Sequence, residues 1–393
     1  MKRILVAVLA ALLGCPLGAQ FPTDLPLSLD LSSGVTSHVQ GIAVNREKGE
    51  LYFSFTTRFI RTDLQGRVLG TIDRIQGHLG AMTFNPADGC VYASLECKND
   101  EIGEGIAKKL GVKMWDAPYF YVAIIDVAKV DRIGIDPEND PVLRTVCLQE
   151  PASDYMAQVA LPDGVRPHRF GCSGIDGVTI GPAPAGIYRT GALVSRVLDA
   201  PDYLYVAYGI YGDVSRSDND YQILLSYPLE ELKRHAQAVS FGTMHTSGPK
   251  RPWRKYFVRT GNTNYGVQNL AYDPFTGYLL MAVYRGKKAQ YPNYSLYAVD
   301  LAAPSFAGRL EGVPYRRCKA QQLSLAKDGL SDEASGIRGW SIRWGSTGLF
   351  PLGGGYYLIS ENYKGLETGI EGCRTHLMRW TADPAHPFAP AID

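Results

Sequence analysis

The chain has 393 residues, with 40 Lys and Arg against 39 Asp and Glu and a formal net charge of +1. So even a balance leaves no excess charge for a general polyanion binder and sets nucleic acid aside as a partner. The 24 tyrosines fit strand-rich structure and surfaces that stack on sugars.

The chain opens Met1-Lys2-Arg3, runs uncharged from Ile4 to Leu13, and continues Gly14-Cys15-Pro16-Leu17-Gly18-Ala19. A charged start, a short apolar run and a small-residue cleavage region make residues 1–19 an export signal, too short to span a membrane. Cleavage after Ala19 would release a soluble periplasmic or secreted protein. Leu12-Leu13-Gly14-Cys15 also has the form of a lipobox, which would leave Cys15 acylated and the protein tethered to a membrane. Beyond Cys15 there are six cysteines, Cys90, Cys97, Cys147, Cys172, Cys318 and Cys373. In an exported protein an even set allows up to three disulfides, or simple burial.

Five later stretches share one frame of polar-or-Gly, apolar, variable, small-or-Asn, apolar, small, apolar. They are His38–Val44, His78–Phe84, Gly174–Ile180, Gly266–Tyr272 and Gly336–Ile342. Each is followed by a turn and a second apolar run, and such self-similarity marks stacked or circular architectures. The first stretch leads to strands at Gly49–Phe55, Phe59–Leu64 and Arg67–Ile72, joined by turn-rich links. The second leads to Val91–Glu96, Tyr119–Val127 and Val142–Leu148, with a long insertion from Cys97 to Pro118. The third leads to Tyr203–Tyr208, Tyr221–Tyr227 and Lys255–Thr260, the fourth to Tyr278–Tyr284 and Tyr294–Leu301, the fifth to Tyr356–Ser360 and His376–Thr381. Helical signal is confined to Leu229–Ala236 and part of Glu101–Val112. Nothing after Thr381 reads as an outer strand for the fifth unit, and Leu25–Leu31 can supply it.

These four-stranded meanders resemble the blades of β-propeller proteins over nearly all of residues 20–393, read as one domain. The resemblance implies an all-β propeller of about five blades, six if Arg309–Leu330 hides another, closed by the N-terminal strand. Within that superfamily, five-bladed glycosidases and propeller polysaccharide lyases are the nearest functional analogies.

In such a ring, the loop entering each inner strand and the loop after each second strand share one face. The long loops all fall there: Glu96–Pro118, Ser153–Cys172, Gly209–Asp220, Arg285–Asn293 and Glu361–Cys373. Long loops on one end of a rigid scaffold are where sites usually sit. That places His38, His78, Asp176, Glu96 and Glu361 at one axial mouth as candidate catalytic groups. Gln40, Arg166, His168, Arg169, Tyr208, Gln268, Arg338 and Tyr363 would bind substrate beside them.

The chemistry fits an exported carbohydrate-active protein acting on a polysaccharide or oligosaccharide. An acidic polysaccharide could be cleaved by elimination, with His or Tyr as base and Arg or Gln neutralising the carboxylate. A divalent metal held by His38 and His78 with a carboxylate is another way to neutralise it. Hydrolysis by Asp176 with Glu96 or Glu361 is the variant, and a non-catalytic glycan- or protein-binding propeller is the alternative. The run Gly212–Asp220 is dense in oxygen ligands yet lacks the EF-hand pattern, and reads as a solvated turn.

Overall fold

A computed structural model describes residues 22–391 apart from 23, 33, 35–36, 186–201, 316–317 and 365–370. The expected export signal and Cys15 lie outside the described residues. Among the described residues no helix is long and apolar enough to cross a membrane.

Five antiparallel sheets stand in a ring. The first blade is Gly41–Asn45, Glu50–Phe55, Arg58–Asp63 and Val68–Ile72. The second is His78–Asn85, Cys90–Cys97, Tyr119–Asp126 and Leu143–Cys147, with Gln237–Ala238 on its outer edge. The third runs Cys172–Gly181, Tyr203–Ile210, Tyr221–Pro228 and Arg254–Arg259. The fourth has Asn264–Asp273, Tyr278–Tyr284 and Leu296–Asp300. The fifth has Leu349–Gly353, Tyr356–Lys364 and Glu371–Trp380. Each inner strand lies against the next, and that of the fifth blade returns to the first.

Both faces of the second strand are covered in each of the first four blades, which explains the near-continuous apolar runs there. Side chains alternate across a strand. In Glu50–Phe55, Tyr52 therefore enters the core between blades one and two, while Leu51, Phe53 and Phe55 enter the core between blades five and one. Five such cores fill the five gaps between neighbouring blades. The tyrosines serve this design. Tyr52, Tyr92 and Tyr357 bury their rings in it and donate their hydroxyls to Glu50, Asp88 and Asp273 at 2.7, 2.7 and 2.6 Å. A buried tyrosine needs such a partner for its polar end.

The ring closes as expected, because Ser28–Ser32 pairs antiparallel with Gly372–His376 of the fifth blade. The C-terminal tail joins it: Phe388–Pro390 pairs with Met378–Trp380 of the same strand, where the sequence pattern showed no outer strand. The region 309–330 is not a sixth blade. Phe306–Arg309 and Lys319–Gln322 form a hairpin, and the second of these strands adds in parallel to the outer edge of the third blade.

Two expectations are corrected. Gly336–Ile342 is not an inner strand. Arg338–Gly339 pairs with Leu330–Ser331, and Trp340 bridges Leu296, so this stretch edges the fourth blade. The fifth inner strand is Leu349–Gly353 instead. The six cysteines are all free thiols. They pack as small apolar groups, and the thiols of Cys97 and Cys318 donate to the carbonyls of Gln76 and Tyr315 rather than meeting another sulfur.

Candidate functional site at the axial mouth

Three inner strands deliver their slot residues to one pocket of about 200 Å3. Strand register fixes this, since a one-residue slip would turn every side chain to the other face. Gln40, Asp176 and Gln268 line the pocket from equivalent frame positions, joined by His38, His78, Glu96 and Tyr265. The second blade contributes Gly80 at the same slot, and the reason is steric. A Cβ on Gly80 would stand 2.3 Å from Oδ1 of Asp176, so the missing side chain makes room for that carboxyl group. Gly174 does the same for Glu96: its φ of +134° suits glycine, and an added Cβ would fall 1.8 Å from Oε1 of Glu96.

Glu96 and Lys98 form the floor. Glu96 Oε1 accepts from the Ile175 N–H at 2.5 Å, and its Oε2 takes Lys98 Nζ at 2.9 Å. Lys98 also pairs with Asp100 at 3.2 Å and donates to the Ser173 carbonyl at 2.7 Å. An ammonium has three N–H donors, so Lys98 is fully engaged. Burial pushes the Glu96 carboxyl upward against the opposing pull of Lys98. Burial, then the charge of Glu96, pushes Asp176 well above the usual carboxylate range, although the Ala81 N–H and Gln268 hydrogen-bond it. Asp176, 7% exposed, is thus a buried carboxyl group biased toward its protonated form at the pocket wall.

The histidines are held neutral. Burial, the Lys98 cation and His38 depress His78 to about 3, and its buried Nδ1 has no hydrogen-bond partner. Burial also lowers His38, opposed by the charge of Glu371. His38 Nε2 faces the Gln40 amide nitrogen at 3.2 Å, and Nδ1 stands 3.6 Å from Glu371. Tyr284 Oη stands 3.5 Å from the same Nε2. The pocket thus holds an imidazole with a carboxylate near its Nδ1 and a buried carboxyl group whose pKa is raised. Such a pair can take a proton from a bound hydroxyl and return one elsewhere.

The remaining candidates lie elsewhere. Glu361 binds His376 at 2.8 Å, with the Trp344 ring stacked on that histidine at 4.1 Å, and does not line the pocket. It therefore makes no acid/base pair with Glu96. Arg338 donates to the Lys327 carbonyl at 2.7 Å on the fourth blade's edge. Arg166 pairs with Asp163, and Arg169 with Asp154 at 2.9 Å, both on the flank of the third blade. His168 packs between Tyr155 and Tyr211. Tyr208 is fully buried with its hydroxyl on Asp154 at 3.0 Å. Tyr363 lies over Gly372 in the fifth blade. Arg166, His168 and Arg169 follow a connection held on the flank of the third blade, a course that strand periodicity does not encode. Conversely, Lys98, Tyr284 and Glu371 were not expected at the site. Lys98 sits two residues past Glu96, in reach of any group there, which was the one available signal. Among the described residues, no three of His, Cys, Asp and Glu form a group that could hold a metal ion.

No protein-family pattern and no curated protein matches this chain. Among solved structures, the GH43_1 enzyme of Xanthomonas citri is 12% identical over 92% of this chain and 94% of its own, with a TM-score of 0.39. The Cps50 (Swd1) β-propeller domain of Myceliophteria thermophila is 11% identical over 87% and 84%, with a TM-score of 0.29. Kuenenia stuttgartiensis hydrazine synthase is 11% identical over 94% and 67%, with a TM-score of 0.30. At this distance the likenesses add nothing about chemistry, and the strand pairing with its closed ring of inner strands makes the chain a five-bladed β-propeller.

Proposed function

We propose that the axial pocket binds one neutral, hydroxyl-rich ring, a sugar unit of a glycan, and moves protons on it. His38 is the base, oriented by Glu371, and Asp176 is the acid. Gln40, Gln268 and Tyr284 supply hydrogen bonds to hydroxyls. The single observation that carries this reading is the placement of the His38 ring, with Nε2 beside Gln40 and Nδ1 toward Glu371, in the same pocket as the buried Asp176 carboxyl group. A volume of about 200 Å3 suits a single ring at the point of chemistry.

Charge argues for a neutral unit over a uronate. Elimination beside a carboxylate needs a cation or strong donors to stabilise the developing charge. Lys98 is engaged by three protein oxygens, and Arg338, assigned that task on sequence grounds, lies on a blade edge. The N-terminal pattern of residues 1–19 supports export, as a soluble or Cys15-acylated protein. The mass of the mature N-terminus distinguishes the two.

The test is a panel of neutral and uronate oligosaccharides, read for new reducing ends and for absorbance near 235 nm. General acid–base groups contribute about 10²–10⁴-fold, so His38→Gln and Asp176→Asn should each lose at least about 10² in turnover on a neutral substrate. Products from uronates alone, or full activity in both variants, refute the reading. Binding without any product makes the pocket a glycan receptor.

A further inference from the structure

A second and larger cavity, about 860 Å3, opens on the flank of the third blade. We propose that it binds an aromatic carboxylate, independently of the axial pocket.

Two insertions build its walls, and neither is needed to close the ring. One is the hairpin Gln158–Leu161 with Gly164–Pro167, and the other is the hairpin Phe306–Arg309 with Lys319–Gln322 that extends the third blade. Between them the backbone is held in an unfavourable shape. His168 and Phe170, neither of them glycine, have φ of +65° and +58°. Such residues persist where their surroundings over-determine them, and they cluster at ligand clamps and active sites.

The clamp is a buried ion pair. Arg216 donates to the carbonyls of Pro167 and His168, both at 2.7 Å, and to Asp218 at 2.8 and 2.9 Å. Asp218 accepts from the Phe170 N–H at 3.0 Å and from the Tyr315 hydroxyl. Both charged side chains are out of water. A buried pair of this kind is weak evidence for stability, because desolvation offsets the attraction. Its effect here is positional: it sets the ring of Phe170 edge-on to Phe257 and Tyr315, at 5.0 and 5.4 Å. Those three rings form one apolar wall.

The polar side of the cavity is cationic. Arg169, Lys255 and Lys319 line it, and among the described residues no carboxylate does. Lys255 is engaged by Glu150 and Asp154 behind the wall. Arg169 gives one N–H to Asp154 and is 42% exposed, leaving donors of its planar fork for a ligand. Lys319 is exposed and has no ion-pair partner among the described residues. A flat apolar body against the ring wall, with a carboxylate between Arg169 and Lys319, satisfies both sides. A neutral sugar would leave the cations unused, and an alkyl chain would forgo the edge-on rings.

The probe is 2-naphthoate, followed by its own fluorescence and by calorimetry on the full chain. Saturable one-to-one binding is expected. Arg169→Gln and Lys319→Gln should each weaken it about tenfold or more, as should replacing the probe with uncharged 2-naphthalenemethanol. Ala320→Trp should block it by filling the cavity. Lys319→Gln alters only an exposed side chain and keeps the test decisive if Arg169→Gln, which unpairs Asp154, fails to fold. Binding should be unchanged in His38→Gln. No saturation at about 5 mM, equal binding of the alcohol, wild-type affinity in Lys319→Gln, or loss in His38→Gln would each overturn the proposal.

Discussion

Lys288→Met is the sharpest test of how the acidic loop 212–220 is built. That run was expected to be a solvated turn with some likeness to a calcium loop, yet Asp218, Asn219 and Asp220 are buried. The cation at its centre belongs to the protein. Lys288, 4% exposed, places Nζ 2.5 Å from the Arg216 carbonyl, 2.8 Å from Asn219 Oδ1 and 2.5 Å from Asp220 Oδ1. Methionine keeps the apolar stem and removes the charge, leaving the Asp220 carboxylate buried with only the Tyr291 hydroxyl on its other oxygen at 2.9 Å. Breaking a buried ion pair costs about 3–5 kcal/mol. At roughly 2.1 cal/mol/K per residue, 393 residues give an unfolding entropy near 0.8 kcal/mol/K, so Tm should fall by about 4–6 °C. Adding Asp220→Asn removes the stranded charge and should return about 2 kcal/mol or more, a coupling that only contacting groups show. Calcium should not rescue Lys288→Met, because the vacated nest offers three oxygens where calcium takes six to eight. Urea unfolding of the wild type, the two single variants and the double variant measures all of this. A Lys288→Met variant within about 1 kcal/mol of wild type, or strictly additive effects, refutes the reasoning.

Three further outcomes follow from the axial pocket. Turnover should be bell-shaped in pH: His38 must be neutral and its pKa is lowered, so the acid limb lies below 6.5, while Asp176 must be protonated and its pKa is raised, so the alkaline limb lies above the usual carboxylate range. His78 at about 3 sits below its unfolded value of 6.5, so the unfolded chain takes the proton first. Its contribution is present above pH 6.5 and is lost toward pH 3, by up to about 1.4 kcal/mol per pH unit. The stability gap between wild type and His78→Asn should narrow over that window, and parallel profiles would contradict it. Gly80→Ala should lower both stability and turnover, because its Cβ meets Asp176 Oδ1 and Ser94 Oγ at 2.3 Å each. Unchanged kinetics in that variant would mean that Asp176 is not where the chemistry occurs.

Sequence periodicity was a good guide wherever both faces of a strand are buried. Four of the five frames, those beginning at His38, His78, Gly174 and Gly266, contain inner strands. Their register brings His38, Gln40, His78, Asp176 and Gln268 to one pocket, where Glu96 joins them from a second strand. The fifth frame failed for a physical reason. Trp340 is buried between blades four and five and makes its stretch look like an inner strand. The true one, Leu349–Gly353, contains Pro351 and two partly buried positions beside it, and so breaks the pattern. Side chains on loops were the other blind spot. Arg166, His168 and Arg169 were assigned to the mouth because their loop enters the third inner strand, but the Arg216–Asp218 clamp pulls it outward. Glu371 came to His38 by the opposite route, from a third strand rather than a slot.

The slot itself explains why a ring of similar blades has a site with a direction. Four blades present the same backbone position to the axis, and filling each with a large side chain would block the pocket. Gly80 is the position left empty, and the empty place is occupied by the carboxyl group of Asp176 from the neighbouring blade. That shift buries an acid beside Glu96, and nearby the buried His78 Nδ1 has no hydrogen-bond partner. Unsatisfied buried polar groups cost roughly 1–3 kcal/mol each, a strain that an isolated hairpin could not hold. Five interblade cores with dozens of fully buried side chains can, since burying one large apolar side chain contributes about 1.5–3 kcal/mol. The repeated frame thus supplies the stability, and the one position where the frame varies uses part of it to bury an acid in the same pocket as an imidazole.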